Sequence, residues 1–214
     1  ISLSDGKIQT KMTLQVKISE KLVTYETAFL FLKKRVELIK KFNGNELVWI
    51  LEHPLTFTGG IRSNKKEILD KKIKIIKTNR GGKITLHSPG QKIVYFVLDL
   101  NKRKKDIKNL IKKIELSIID FLKLYKIKSY ADKDNIGIWV KDKKIAAIGI
   151  RVSNWVAYHG FSINISNNLE YYKKIIPCGL DNQRVTSISN EVKKLTKNTD
   201  KKLIDIFIKN INSI

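Results

Sequence analysis

Ile93-Val94-Tyr95-Phe96-Val97-Leu98 is an unbroken apolar run near the middle of a chain of 214 residues. A short run rich in β-branched and aromatic residues is typical of a strand that is buried on both faces. It therefore predicts the interior of a sheet, and the rest of the chain must supply the layers that cover that sheet.

Three apolar stripes at helical spacing predict those covering layers. The clearest one repeats every three or four residues and consists of Ile107, Leu110, Ile111, Ile114, Ile118, Phe121, Leu122 and Tyr125. This period is that of an amphipathic helix packed across a sheet. A second stripe follows a helix-capping residue, Thr24, and precedes Gly44, and a third at 204–211 predicts a C-terminal helix.

Further strands are predicted around these helices. They lie at 12–18, 47–51, 73–76, 137–140, 144–152 and 156–165. Short turns join the last three, which favours antiparallel pairing. Because the chain shows no linker and no repeat, we expect a single α+β domain over residues 1–214. Its centre would be a mixed, largely antiparallel sheet packed by helices.

Composition narrows the class of protein. A single cysteine excludes an internal disulfide framework and a cysteine-rich zinc cluster. His53, His87 and His159 are far apart without ligand-spaced partners, so no metal site is expected. No apolar stretch approaches the roughly 20 residues of a membrane helix. We expect a cytoplasmic protein, or an organellar one if a leader preceded Ile1.

The chain is strongly basic, with 43 lysine and arginine residues against 20 acidic ones and a formal net charge of +23. Such a field steers acidic partners toward the surface. Nearly all the basic residues are lysine, whereas bidentate reading of bases and phosphates favours arginine. An acidic carrier protein is therefore the favoured partner, and neither nucleic acid nor a membrane is expected. The alternative is a biased composition that places lysine on every solvated face.

One thiol and one amine are the candidate catalytic groups. Cys178 lies between Pro177 and Gly179, and Lys144 opens the strand Lys144-Ile145-Ala146-Ala147-Ile148-Gly149. A cysteine attacks as its thiolate, which a neighbouring ammonium stabilises. Strand alternation places Lys144 on the apolar face with Ala146 and Ile148, where an ammonium loses its proton more readily than in water. The plain alternative is a buried structural cysteine and a solvated lysine.

The segment from Arg80 to Gln91 carries the densest turn chemistry. Its adjacent glycines, Gly81 and Gly82, let the backbone approach a ligand closely. Arg80 could hold a carboxylate or phosphate, and His87 could donate to a carbonyl. A tight connection between strands is the plain alternative. Small residues at 146–149 and 159–162, on neighbouring predicted strands, would leave room for a narrow apolar tail.

Taken in order, these segments resemble the successive motifs of the lipoyl(octanoyl) transferases. The motifs run from about residue 47 to 180 and are Glu52-His53-Pro54, Arg80 to Gln91, Leu98-Asp99-Leu100, Lys144 to Val152, Trp155, His159-Gly160-Phe161, Asn164 and Ile176-Pro177-Cys178-Gly179. Their number and order make the resemblance specific. Where the family usually has Tyr-His-Gly-Pro-Gly, this chain has Leu86-His87-Ser88-Pro89-Gly90, which removes an aromatic wall and some backbone freedom.

The resemblance implies the fold of the biotin and lipoate protein ligases. It also implies an enzyme that moves an octanoyl group from acyl carrier protein to a lysine of lipoyl domains, in 2-oxoacid dehydrogenases and the glycine cleavage carrier protein. Cys178 would form a thioester and Lys144 would act as acid and base, with no cofactor and no metal. The residues implied to line the octanoyl site are Arg80, Gly81, Gly82, Lys83, Ile84, Thr85, Leu86, His87, Ala147, Ile148, Gly149, Gly160, Phe161 and Ser162.

Three other functions are considered. An ATP-dependent lipoate or biotin protein ligase is the nearest alternative, because such ligases resemble the octanoyltransferases in fold and in the glycine-rich segment but make an acyl adenylate. A basic nucleic-acid binder is the second alternative, but the chain lacks the arginine and aromatic patterns of known modules. A cysteine hydrolase is disfavoured because no histidine with a partner Asn or Asp accompanies Cys178 in a recognisable arrangement.

Overall fold

Two sheets and four helices make up the structure, a computed structural model that describes residues 14–177, 184–196 and 199–214. The strands are β1 (Leu14–Ile18), β2 (Glu46–Leu51), β3 (Thr56–Gly59), β4 (Ile75–Lys77), β5 (Ile84–His87), β6 (Gln91–Asp99), β7 (Tyr130–Ala131), β8 (Ile138–Val140), β9 (Lys143–Ser153) and β10 (Val156–Asn164). The helices are α1 (Tyr25–Phe42), α2 (Ile107–Lys123), α3 (Ile188–Glu191) and α4 (Thr199–Ile211). Short 3₁₀ turns lie at Lys65–Glu67, Leu100–Lys102 and Leu169–Lys174.

The larger sheet has seven strands in the order β1-β2-β6-β10-β9-β8-β7. Its β1–β2 pairing is parallel, and the other pairings are antiparallel. The smaller sheet has the order β4-β3-β5. A mixed, largely antiparallel sheet packed by helices is thus confirmed. The single-domain prediction stays a prediction, because residues 1–13 lie outside the described part of the chain.

Helices cover both faces of the larger sheet, as the apolar run in β6 predicts. Alternate residues of that run, Val94 and Phe96 among them, pack in a core with α2 and α4. Their neighbours, Ile93 and Tyr95 among them, pack in a second core with α1. Both sets are buried, which is why the run shows no alternation of polar and apolar residues.

The predicted helices are confirmed, and so is the cap of the first. Thr24 Oγ1 accepts a hydrogen bond from the backbone of Thr27 at 3.3 Å. The helix ends at Phe42, two residues before the predicted glycine, because its C-cap residue, Asn43, adopts the left-handed conformation with φ of 53°. Gly44 follows and donates its backbone N–H to the Leu38 carbonyl. No helix of the described residues is long and apolar enough to cross a bilayer.

The smaller sheet was not predicted in full. Residues 84–87, interpreted from sequence as part of a turn-rich segment, form β5 and pair antiparallel with β3. Both strands are four residues long, and their pairing partners are distant in sequence, so neither has a strong local signal. The strand expected at 73–76 begins at Ile75, and the one expected at 12–18 is described from Leu14.

Candidate active site

A cavity of about 700 Å³, here called the large cavity, opens between the Arg80–His87 segment and strands β9 and β10. Most of the residues predicted to form the site line it. They are Arg80, Gly81, Gly82, Lys83, Thr85, His87, Lys144, Ala147, Ile148, Gly149, Gly160, Phe161 and Ser162. The structure therefore brings together three segments that are far apart in sequence.

Two predicted lining residues, Ile84 and Leu86, point elsewhere. Side chains alternate along β5, so Thr85 and His87 face the large cavity while Ile84 and Leu86 pack in the core of the smaller sheet. The expectation that Leu86 removes an aromatic wall from the site is thus wrong, because this side chain is fully buried in that core. Ser88 is also buried and does not line the large cavity.

Cys178 lies outside the described residues, whereas the second predicted catalytic group, Lys144, lies within them. Its side chain is buried, with 6% of the residue surface exposed. The Nζ atom lies 5.2 Å from the ring centroid of Trp139. Gly137, at φ of +145°, makes room for this side chain, since a Cβ atom there would lie 2.7 Å from Lys144 Cε.

The chain that follows Cys178 returns to the backbone of Lys144. Lys144 N donates to the Arg184 carbonyl at 2.8 Å, and the Lys144 carbonyl accepts from Thr186 N at 3.0 Å. A second, small pocket is lined by Lys144 together with Pro177 and Val185, which lie on the two sides of residues 178–183. The described residues on both sides of Cys178 thus lie next to Lys144.

The pairing around Lys144 is irregular. Trp139 pairs with Lys144 and Ile138 with Ala146, so that Ile145 is an extra residue in β9. Such a bulge interrupts the simple alternation that the sequence predicts along the strand. Ile145 is fully buried in the core with α2 and α4, while Lys144 faces the two cavities.

Small residues of β9 and β10 form one wall of the large cavity, as predicted. Ala147 pairs with Ser162, and Gly149 pairs with Gly160. A Cβ atom on Gly160 would lie only 1.9 Å from the Val94 carbonyl oxygen of the neighbouring strand, so the fold requires glycine there. Beside it, His159 has a φ of 69°, a conformation that few residues with a side chain adopt.

Arg80 is built into the wall of the large cavity. Its Nη2 donates to the Thr58 carbonyl at 2.9 Å and to Thr58 Oγ1 at 2.8 Å, and its Nη1 donates to the Gly81 carbonyl at 2.9 Å. These bonds tie the glycine-rich segment to β3. Two guanidinium nitrogens of Arg80 thus have a structural role, and its contact with a carboxylate or phosphate stays a prediction.

The three histidines, which are far apart in sequence, lie close together in the fold. The ring centroids of His53 and His87 are 5.5 Å apart, and His159 approaches the same group through Tyr95 at 6.5 Å. No group of three or more His, Cys, Asp or Glu residues in the described part of the chain is arranged to hold a metal ion. The histidines form a mixed aromatic cluster instead.

Hydrogen bonds fix the tautomer of each ring. His53 Nδ1 donates to the Val23 carbonyl, and its Nε2 therefore accepts from the Tyr95 hydroxyl at 2.9 Å. His87 Nδ1 donates to Gln91 Oε1 at 2.7 Å, which leaves Nε2 as an acceptor. His87 lines the large cavity, and its second ring nitrogen is an acceptor instead of the expected donor to a carbonyl.

His159 is held in the opposite tautomer. Its Nε2 donates to Asn79 Oδ1 at 2.7 Å, and the amide of Asn79 donates to the Tyr158 hydroxyl at 2.9 Å. The Asn79 amide is thereby oriented, and its oxygen can only accept from the imidazole.

Burial keeps these rings neutral. It lowers the pKa of His87 to about 3, with smaller contributions from His53 and the Arg80 guanidinium. Burial also lowers the pKa of His159 to about 3, with Arg80 and Arg151 adding to the effect. The pKa of His53 is lowered by the same cause, and burial raises the pKa of Tyr95 well above its usual value. The cluster therefore presents uncharged rings to the large cavity at neutral pH.

Sequence reasoning missed several lining residues. Tyr25 and Tyr95 line the large cavity, as does the loop at 133–136. A tyrosine inside the apolar run of β6 was the available signal, since a buried tyrosine hydroxyl needs a partner. The loop carries no comparable signal, because its approach to the cavity depends on the pairing of β7 with β8.

Comparison with known proteins defines the class to which this fold and site belong. Residues 24–211 match the family model of the lipoyl protein ligase A/B catalytic domain. The octanoyltransferase of Wolbachia sp. subsp. Brugia malayi is 44% identical over 176 residues, covering 80% of this chain and 86% of that protein. The octanoyltransferase of Anaplasma phagocytophilum is 41% identical over 191 residues, covering 86% and 92%. The chain therefore belongs to the octanoyltransferases, a family of acyltransferases.

Solved structures confirm the ligase-like fold. A bipartite lipoate protein ligase from Thermoplasma acidophilum superposes with a TM-score of 0.71 at 12% identity, over 94% of this chain and 85% of that chain. A lipoate-protein ligase A bound with ATP gives a TM-score of 0.70 at 12% identity, over 94% and 84%. At this level of identity the likeness establishes the fold alone.

Proposed function

We propose that this protein transfers an octanoyl group to a lysine of lipoyl-dependent protein domains in lipoate biosynthesis, through a thioester on Cys178. The observation that supports this most strongly is the surroundings of Lys144. Its buried amine lies between the large cavity and the small pocket, and the small pocket is also lined by the residues that flank 178–183. A thiol in this segment would have a cation within reach and an acyl site beside it.

The large cavity suits a narrow acyl chain. Gly149, Gly160 and Ala147 bring no bulky side chain to its β9–β10 wall, where Ile148 and Phe161 add apolar surface. The neutral histidines add no charge. An octanoyl chain has six methylenes, so its burial at about 0.8 kcal/mol for each would contribute roughly 5 kcal/mol. This is enough to select for chain length without a polar contact.

The reaction would proceed in two balanced steps. In the first, the Cys178 thiolate attacks the thioester carbonyl of the donor, the bond to the carrier sulfur breaks, and the Lys144 ammonium gives that sulfur its proton. In the second, the amine of the acceptor lysine attacks the new thioester and the Cys178 thiolate leaves. Neutral Lys144 then takes the proton released by the amine, which restores the thiolate and ammonium pair.

The donor would be octanoyl acyl carrier protein and the acceptors lipoyl domains. The net charge of +23 supports an acidic donor, and the basic side chains of Arg62 and Lys133 lie at the large cavity. Such charges act mainly on the rate of encounter, so transfer should slow as the salt concentration rises.

The alternative is an ATP-dependent lipoate or biotin protein ligase. The superposed structures are lipoate ligases, but at 12% identity they carry no argument about the reaction. The curated relatives that are 41–44% identical are named octanoyltransferases. Omission of ATP separates the two functions, because an adenylate-forming ligase cannot act without it.

Intact mass measurement tests the proposal. After a short incubation with octanoyl acyl carrier protein and no ATP, the protein should gain the mass of one octanoyl group, and Cys178→Ser should gain none. An adduct that persists in Cys178→Ser, or a wild-type protein that is modified only when ATP is present, would contradict the proposed thioester.

A further inference from the structure

Three buried polar side chains bond one another beside the small pocket that Lys144 lines. Gln91, Asn164 and Tyr172 have between 1% and 5% of their surface exposed. Gln91 Nε2 donates to Asn164 Oδ1 at 2.9 Å and to the Tyr172 hydroxyl at 3.1 Å, and that hydroxyl donates to Asn164 Oδ1 at 3.3 Å. We call these three residues the amide cluster.

The amide cluster is joined to the backbone of Lys144 through one residue. Asn164 Nδ2 donates to the Thr186 carbonyl at 2.9 Å. The N–H of Thr186 in turn donates to the Lys144 carbonyl at 3.0 Å. The side chain of Asn164 therefore holds the segment that pairs with Lys144, and a buried amide in this position costs free energy unless every one of these bonds is made.

The same cluster reaches the chain on the other side of Cys178. Tyr172 belongs to the turn Leu169–Lys174, which leads to Pro177. Asn164, Tyr172 and Pro177 line the small pocket together with Lys144. Asn164 thus contacts described chain on both sides of residues 178–183.

Neither amide of the cluster lines the large cavity, where the acyl chain would lie. These residues therefore do not contribute to acyl binding. Their hydrogen bonds instead connect Lys144 with the two chain segments that flank Cys178.

We infer that Asn164, oriented by Gln91 and Tyr172, is a positioning residue that sets Lys144 against the two segments flanking Cys178. The inference rests on the proposed function, in which the Lys144 amine and the Cys178 thiol act together. Misplacement of such a pair by about 1 Å can lower the rate about 100-fold.

Two measurements on the free protein test this without any acyl donor. The first is the rate of Cys178 alkylation by iodoacetamide as a function of pH. In Asn164→Ala the midpoint of this profile should rise by about one pH unit, because the ammonium that favours the thiolate is no longer held beside it. The second is hydrogen exchange, which should accelerate at the amides of Lys144 and Thr186 in this variant.

Turnover then gives a third readout. In Asn164→Ala, kcat for octanoyl transfer should fall about 100-fold while KM for the octanoyl carrier changes less than about twofold. Asn164→Ser, whose hydroxyl is too short to reach Thr186 but leaves room for water, is measured in parallel in case the alanine variant does not fold.

One control separates positioning from general destabilisation. Ile118→Val removes one methylene from the α2 core and should lower stability while leaving the alkylation profile unchanged. Tyr172→Phe tests the orienting bonds themselves. It removes the contacts of the hydroxyl with Gln91 and Asn164 but keeps the bond from Asn164 to Thr186, so its kcat should fall less than that of Asn164→Ala.

An alkylation midpoint and an exchange pattern equal to wild type in both Asn164 variants would overturn the inference, as would a change in KM alone. A wild-type protein that never gains an octanoyl group would instead refute the proposed function. The alkylation and exchange data would still decide whether Asn164 places Lys144.

Discussion

Gly149 and Gly160 stand opposite each other in the pairing of β9 and β10, and both line the large cavity. The space available for a side chain differs sharply between the two positions. A Cβ atom on Gly160 would lie 1.9 Å from the Val94 carbonyl oxygen, whereas one on Gly149 would lie 3.2 Å from Arg80 Cδ. Glycine is therefore a requirement of the fold at position 160, while at position 149 it mainly leaves space in the cavity.

Gly149→Ala should fold and discriminate against long acyl chains. Its new methyl group needs only a small shift of Arg80 but occupies space beside the cavity. Exclusion of one methylene costs about 0.8 kcal/mol, so KM for the octanoyl carrier should rise about fourfold, with less effect on a hexanoyl carrier. Gly160→Ala is the matched variant and should lose folded protein instead. Equal loss of activity on both carriers in Gly149→Ala would show that the wall is not part of the acyl site.

Lys144→Arg should separate the two chemical steps. An arginine keeps the positive charge that favours the thiolate, but its guanidinium does not give up a proton at any working pH. The octanoyl mass increment should still form, because the carrier sulfur can leave as a thiolate and take its proton from water, whereas transfer to the acceptor lysine should fall at least about 100-fold.

Quenched-flow mass measurements on Lys144→Arg, in the presence of acceptor, would show the acyl-enzyme accumulating. Lys144→Ala is the control and should lose both steps. If Lys144→Ala acylates at the wild-type rate at neutral pH, the role assigned to this lysine is wrong.

The sequence predicts those helices and strands whose own apolar residues follow one regular spacing. The run in β6 and the stripe of α2 are long, and each satisfies one period throughout, so their secondary structure and their packing were predicted together. The four-residue strands β3 and β5 were missed, because they are stable only through pairing with each other.

The candidate site shows the same division. Motifs predict the pair Lys144 and Cys178, and of the two the structure describes Lys144. The backbone bonds of Lys144 with Arg184 and Thr186 depend on a long-range bridge with no local signal. His53 and His87 are 34 residues apart in sequence and meet because β5 pairs with β3, which places His87 opposite Thr56, close to His53 in the chain. Their neutral state follows from burial, which the sequence alone does not specify.

His159→Asn should flatten the loss of stability in acid. A histidine whose pKa is about 3 in the folded protein and 6.5 when unfolded binds its proton preferentially in the unfolded chain between these values. The contribution of neutral His159 to the free energy of unfolding is thus fully present above pH 6.5 and is lost as the pH falls toward 3. Asparagine also tolerates the left-handed backbone at this position.

Urea unfolding of His159→Asn and wild type from pH 7.5 to 4 would measure this. Removal of one titrating group should lower the slope of unfolding free energy by up to about 1.4 kcal/mol per pH unit between pH 6 and 4. The difference at pH 7.5 gives the effect of the substitution apart from titration. Identical slopes would mean that His159 takes up its proton at the same pH in the folded and the unfolded protein.

Lys133→Glu should slow the encounter with an acidic donor. Lys133 is exposed and belongs to the loop that borders the large cavity, so reversal of its charge changes the field where the acyl group must enter. Steering acts on association, so kcat/KM for the octanoyl carrier should fall about tenfold at low salt, with kcat nearly unchanged. The difference from wild type should shrink at high ionic strength, where such charges are screened.

Lys41→Glu makes the same charge change in α1, away from the residues that line this cavity, and should have a much smaller effect. Equal effects of the two substitutions would mean that the total charge of +23, and not a docking site at the cavity, governs encounter.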